Sequence, residues 1–64
     1  MKYIITELQN AQSTRRGEVI EAANLTAAKR KASNMQMFLH TVMEIAHENG
    51  VRIAVKEAGS WTNL

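Results

Sequence analysis

The sequence predicts an α+β fold in a single domain, residues 1–64. Three observations support this prediction. Residues 3–9 are rich in β-branched and aromatic side chains, as strands are. Asn24 precedes a segment with apolar residues at helical spacing, and asparagine is a preferred helix N-cap. Asn49-Gly50, followed by an alternating segment at 51–56, indicates a β-hairpin late in the chain.

The first predicted strand is residues 3–9. One of its faces carries three apolar or β-branched side chains: Ile4, Thr6 and Leu8. The polar residues 10–16 end at Gly17 and are typical of a loop. Residues 18–22 are then predicted to form a short second strand, which would pair with the first as a hairpin.

The helix is predicted over Leu25–Ser33. Its apolar stripe continues just beyond that end and has helical spacing: Leu25, Ala28, Ala32 and Met35. Alanine in such a stripe lets a helix lie close to a sheet. Lys29 and Lys31 flank the stripe and Arg30 points away from it, so the helix presents a basic outer surface.

The segment from 40 to 48 fits two structures. The 3-4 spacing of the helix continues through Leu39, Val42 and Ala46, which favours one long helix from 25 to about 47. The β-branched residues and the following Asn49-Gly50 favour a strand instead, because Asn-Gly suits a type I′ turn with positive φ at both central residues. One face of that strand would carry Thr41, Met43, Ile45 and His47. Local patterns leave both structures open.

Residues 51–56 are the clearest strand in the sequence. Their apolar side chains alternate and share one face: Val51, Ile53 and Val55. Residues 57–60 turn the chain, and 61–64 are predicted as a last short strand whose Trp61 closes the core.

Composition limits the function. A chain of 64 residues buries only about 60% of the surface that its unfolded form exposes, which leaves little room for a deep pocket beside a core. Cysteine and aspartate are absent, so a disulfide, a thiolate metal site and a Ser-His-Asp triad are excluded. His40 and His47 lack the spacing of a metal site. We therefore expect a binding protein without cofactor or metal, and not an enzyme.

The charge of the chain is mildly basic. Its formal net charge is +2, with cations clustered at Arg15-Arg16 and at Lys29-Arg30-Lys31. Such clusters, more than the net charge, set the field that a partner meets. The sequence has no apolar run long enough to span a membrane, and Glu7 comes too early for a signal peptide, so we expect an intracellular protein.

Over almost its whole length the sequence resembles the small type I-F anti-CRISPR proteins of the ninth named subfamily, which phages, prophages and mobile elements carry. The match runs from Tyr3 to Trp61 with about one residue missing near Ser60. The matching residues are Tyr3-Ile4-Ile5, Glu7, Gln9-Asn10, Gly17, Ile20-Glu21-Ala22, Leu25, Ala28-Lys29-Arg30, Ala32-Ser33, Gln36, Phe38, Thr41-Val42-Met43, Ile45, Asn49-Gly50, Ala54, Lys56-Glu57, Gly59 and Trp61.

The resemblance implies an antiparallel sheet of about five strands with one helix on a face, in the order β-β-α-β-β-β. It therefore implies a strand at 40–48. It also implies an inhibitor that acts in the cytoplasm of the bacterial host. The inhibitor would bind the backbone subunits of the RNA-guided surveillance complex, block target-DNA hybridisation in their positive groove and promote non-specific duplex binding.

The family's contacts lie on the helix, on the segment after it and on adjoining strand positions. The matching residues, with Lys31 added as the third cation of the helix, are Tyr3, Lys29, Arg30, Lys31, Gln36 and Lys56. Each has a structural interpretation as well. A basic run is typical of a solvated helix face, Lys56 of a guarded sheet edge, and Tyr3 and Trp61 of core aromatics.

The sequence departs from the family's pattern at two places. A basic position one turn after Arg30 is Asn34, and a basic pair before Trp61 is reduced to Gly59-Ser60. Both changes weaken the expected binding of duplex DNA, which depends on cations that meet phosphates. An alternative function is a small nucleic-acid-binding protein that acts alone, although the sequence holds no helix-turn-helix, aromatic-studded sheet or zinc module.

Overall fold

The computed structural model describes residues 1–10, 13–14, 17–37 and 41–64. These residues form one helix and six strands: β1 Lys2–Asn10, β2 Ser13–Thr14, β3 Glu18–Glu21, α1 Leu25–Met35, β4 Val42–His47, β5 Arg52–Glu57 and β6 Ser60–Asn63. The α+β class and the order of the five longer strands are confirmed. β2 is a two-residue strand in the predicted loop 10–16. Arg15-Arg16 and His40 lie outside the described residues.

The sheet is antiparallel, and β1 lies inside it. One edge of β1 pairs with β4, from Tyr3–His47 to Leu8–Val42. The other edge pairs with β3 near its start and with β2 near its end. β5 and β6 continue the sheet beyond β4, and α1 packs against β4.

β4 settles the segment that local patterns left open. Residues 42–47 are a strand that pairs with β1 on one side and β5 on the other. The long-helix interpretation is therefore wrong, and the strand that the resemblance implied is confirmed. A helix over these residues would leave β1 and β5 without the middle strand that satisfies their backbone groups.

The core lies between α1 and one face of the sheet. Met43 and Ile45, which the alternation in β4 assigns to one face, are 1% and 0% exposed. In β1 the buried residues are Tyr3, Ile5 and Glu7, and they lie on the face opposite to Ile4, Thr6 and Leu8. The helix contributes Ala28 and Ala32, both 0% exposed, and their small side chains allow the close approach that the stripe predicts.

The helix begins and ends with the expected chemistry. The Asn24 side chain accepts a hydrogen bond from the Ala27 backbone at 2.9 Å, which confirms the predicted N-cap. The helix runs to Met35, two residues past the predicted end. Gln36 leaves the helical conformation, and its backbone N–H still donates to the Ala32 carbonyl at 3.1 Å.

The hairpin at Asn49-Gly50 is present, but its turn is not the type I′ expected. Gly50 has φ of 90°, but the φ of Asn49 is not positive, as a type I′ turn would require. Among the described non-glycine residues, positive φ occurs at Ala58. Asn49 instead accepts a side-chain hydrogen bond from the Val51 backbone at 3.0 Å. Gly50 N–H donates to the His47 carbonyl at 2.9 Å, as in a three-residue loop that ends in a left-handed glycine.

A register shift after this turn decides which face of β5 meets the helix. Ile45 pairs with Ala54, but the next residue of β4 pairs with Arg52, so β5 holds one extra residue. Ala54 is 0% exposed and lies toward the core, whereas Val51 is 56% exposed. The helix-facing side of β5 thus carries Ala54 and Lys56. Of the predicted apolar alternation, Ile53 packs against the core and Val51 is exposed.

A candidate partner-binding surface on the helix and its seam with β6

The three cations of α1 spread across the outer surface of the helix. The Lys29 ammonium donates to Asn63 Oδ1 at the end of β6, and the Lys31 ammonium donates to the Glu21 carbonyl at the end of β3. Successive helix residues are about 100° apart, so these two lysines reach over opposite sides of α1. The predicted flanking positions are confirmed. We call Lys29, Arg30 and Lys31 the basic band.

Arg30 lies between the two lysines and is exposed. Its guanidinium makes no hydrogen bond or ion pair with another residue in the described part of the chain. All five N–H donors of an arginine are therefore available to a partner, and their planar geometry suits a carboxylate or a phosphate. Arg30 is the member of the basic band that is best prepared for a new contact.

Lys56 lies on the sheet, in β5, and its side chain contacts the helix. In the register of β4, β5 and β6 it lies between Met43 and Trp61, on the face that α1 covers. Its ammonium lies 3.5 Å from Ser33 Oγ, and the Trp61 indole donates to the same oxygen at 3.2 Å. Its ammonium is therefore half-buried beside the helix.

Gln36 connects Lys56 to the interior. Gln36 Oε1 accepts from the Lys56 ammonium at 3.0 Å. The Gln36 amide nitrogen donates to the Thr41 hydroxyl at 2.9 Å and to the Thr41 carbonyl at 3.2 Å. The Thr41 hydroxyl in turn donates to Glu7 Oε2 at 2.7 Å. We call the row Lys29, Ser33, Gln36, Lys56, Trp61 and Asn63 the polar seam between α1 and the β5–β6 hairpin.

Glu7 is a buried residue of this network that sequence analysis did not select as a site residue. Its carboxylate is 7% exposed and accepts from the Met37 backbone N–H, at 3.2 Å to each oxygen. It thereby ties β1 to the end of α1 and, through Thr41, to the start of β4. A signal was present: Glu7 alternates with Tyr3 and Ile5, and a charge on a buried strand face predicts a polar partner.

Tyr3 occupies a different place from the other candidates. Its side chain is 2% exposed. Its ring stacks on His47 with centroids 5.9 Å apart, and its hydroxyl contacts Met1 Sδ at 3.7 Å. None of these partners belongs to the polar seam or the basic band. The interpretation of Tyr3 as a core aromatic describes the free protein.

The two departures from the family's pattern lie at the exposed surface. Asn34 is exposed on the helix, and Gly59 and Ser60 are exposed where β6 begins. Neither place adds a cation to the basic band.

In the described ranges no cluster of three His, Cys, Asp or Glu side chains is arranged to hold a metal ion. No described helix has the length and apolar character to cross a membrane.

Comparison with known proteins identifies a close structural relative. A solved structure named AcrIF9 superposes with a TM-score of 0.87 and is 48% identical in sequence. The alignment covers 100% of this chain and 86% of the other. Scans of protein-family models and of curated proteins give no match.

Proposed function

We propose, because this chain belongs to the type I-F anti-CRISPR family of AcrIF9, that it binds the backbone subunits of a type I-F surveillance complex and blocks target-DNA hybridisation. The site of action would be the cytoplasm of the bacterial host, where target DNA is read. The observation that supports this proposal is the set of four cations that α1 and the adjoining strand β5 carry, the basic band and Lys56. It lies on the part of the fold, the helix and adjoining strands, that the family resemblance assigns to partner contacts.

The charge of this surface indicates how inhibition would work. A mimic of DNA needs an acidic surface, whereas this chain has a net charge of +2. A basic surface instead requires carboxylates or carbonyl oxygens on the partner, or phosphates of the guide RNA. The protein would therefore block hybridisation by occupying space in the groove, not by taking the place of the DNA phosphates.

Arg30 is expected to provide the strongest contact. Its guanidinium has no partner among the described residues to give up, whereas Lys29 and Lys31 would exchange or share the hydrogen bonds that they make to Asn63 and Glu21. Removing one partner of a close charge pair at an interface costs about 2–5 kcal/mol. A loss of about 2 kcal/mol corresponds to a roughly thirtyfold increase in Kd.

The test is inhibition of target-DNA binding by a purified type I-F complex. The variant with Lys29→Glu and Arg30→Glu should lose co-elution with the complex and restore target binding. The matched control, Lys2→Glu with Arg52→Glu, makes the same change in net charge at exposed positions outside the helix. Circular dichroism of both variants establishes that the fold is intact.

Each outcome of this test has a distinct meaning. If the wild-type protein neither co-elutes at micromolar concentration nor lowers target binding, the proposed function is wrong. Equal losses for both double variants would mean that net charge, and not the basic band, governs binding. Full activity of the helix variant would place the contact on another surface.

Duplex binding is expected to be a weaker activity of the same surface. If all of Lys29, Arg30, Lys31 and Lys56 met phosphates, the slope of log K against log salt would be only about −4. The exposed Asn34 and Gly59-Ser60 supply no further cation. A gel shift with duplex DNA, with and without the complex, separates this activity from inhibition. Strong retardation without the complex would favour a protein that acts alone on nucleic acid.

A further inference from the structure

We infer that Gln36 acts by positioning Lys56, and that Lys56, not Gln36, makes the polar contact with the partner. The inference rests on the proposed function and assigns different roles to two of its candidate residues. It also gives a role to Thr41 and Glu7, which lie behind them in the same chain of hydrogen bonds.

The direction of this chain is fixed from its buried end. A carboxylate only accepts hydrogen bonds, so the single hydroxyl proton of Thr41 is donated to Glu7 Oε2. The Thr41 hydroxyl can then only accept from Gln36. The Gln36 amide must therefore turn its NH₂ group toward Thr41 and its oxygen toward Lys56, and the alternative flipped orientation is excluded.

The hydrogen-bond capacity of Gln36 is largely used inside the protein. A glutamine amide has two N–H donors, and these meet the carbonyl and the hydroxyl of Thr41. Its oxygen accepts from the Lys56 ammonium at 3.0 Å. A direct contact by the Gln36 N–H groups with a partner would break the link to Thr41.

Lys56 has the opposite balance. An ammonium group has three donors, and within the described residues it meets two acceptors, Gln36 Oε1 and Ser33 Oγ. One donor remains for a carbonyl or carboxylate oxygen of the partner. Because a free lysine side chain loses much rotamer freedom when a partner orders it, a lysine that is already held in place binds more tightly.

A double-mutant cycle distinguishes positioning from direct contact. Gln36→Ala should lower affinity for the type I-F complex roughly threefold to tenfold, the effect expected from releasing one long side chain. In a Lys56→Met background, Gln36→Ala should cause no further loss. Additive losses in the double variant, or no loss from Gln36→Ala alone, would overturn the inference.

Thr41→Val extends the cycle into the buried part of the chain. It removes the hydroxyl between Gln36 and Glu7 with little change of shape, and its loss of affinity should also vanish in the Lys56→Met background. The matched control is Thr62→Val, at an exposed position of β6, which should leave affinity unchanged. If Thr41→Val does not fold, Gln36→Ala still decides the question.

A measurement on the free protein keeps this inference separate from the proposed function. Carbon-13 relaxation should show a higher order parameter at Lys56 Cε than at exposed Lys2, and Gln36→Ala should abolish the difference. Equal mobility of the two lysines in the wild-type protein would overturn positioning, even if the protein inhibits the complex. Failure of the wild-type protein to bind would refute the proposed function and, with it, the contact assigned to Lys56.

Discussion

In the turn between β5 and β6, Ala58 has a backbone conformation that is unfavourable for alanine, and a single substitution should relieve it. Ala58 has φ of 50° and Gly59 has φ of 81°, and Glu57 pairs with Ser60 across them. Two central residues with positive φ define a type I′ turn, which favours Asn-Gly. An alanine in this left-handed region costs about 1–2 kcal/mol, because its Cβ crowds the following carbonyl oxygen.

Ala58→Asn is expected to raise the free energy of unfolding by about 1 kcal/mol, since asparagine adopts the left-handed conformation more readily. Ala58 is exposed, so the change sacrifices no buried contact. For a domain of this size such a gain corresponds to a rise in Tm of about 4–8 °C. Thermal and urea unfolding followed by circular dichroism measure both quantities.

The matched control is Ala23→Asn. Ala23 is also exposed, but its φ is not positive, so the same substitution there should change stability by less than about 0.5 kcal/mol. If Ala58→Asn gave no greater gain than Ala23→Asn, the left-handed conformation would not be what limits the stability of this hairpin. Inhibition should be retained, because Ala58 belongs to neither the basic band nor the polar seam.

Two further predictions concern the ion pair of the N-terminal ammonium and the packing of Gly17 against β1. The N-terminal ammonium donates to Glu21 at 2.9 Å, and this hydrogen bond is the largest cause that lowers the pKa of Glu21 below its usual 4.5. A carboxyl group whose pKa is lowered in the folded state stabilises the fold at pH values above its unfolded pKa. The difference in Tm between the wild-type protein and Glu21→Gln should therefore shrink as pH falls below about 4.5. A difference in Tm that does not depend on pH would contradict this. A Cβ on Gly17 would lie 2.4 Å from Ile4 Cγ2, so Gly17→Ala should destabilise by about 1–3 kcal/mol. Ile4→Ala removes that methyl and should therefore cost less in the Gly17→Ala background than alone, as urea unfolding would measure.

Much of the candidate site follows from local rules. The N-cap and the alanine stripe set the rotation of α1, and that rotation places Lys29 and Lys31 on its flanks with Arg30 outward. What local rules did not supply is the polar seam. Its links join residues that lie 20 to 34 positions apart, from Lys56 with Gln36 to Lys29 with Asn63. No sequence window contains both ends of such a link.

The sequence by itself determined the helix, the strand that follows Asn49-Gly50 and the basic band, because caps, helical periodicity and strand alternation act within a few positions of one another. Only the tertiary structure decided the fate of 42–47, where helical and strand periodicities were both present and pairing with β1 and β5 selected the strand. It also decided which side of β5 meets the helix, because one extra residue opposite β4 shifts the register. That shift, together with the buried Glu7, places Lys56 beside Gln36, where the inhibitor's proposed contact is made.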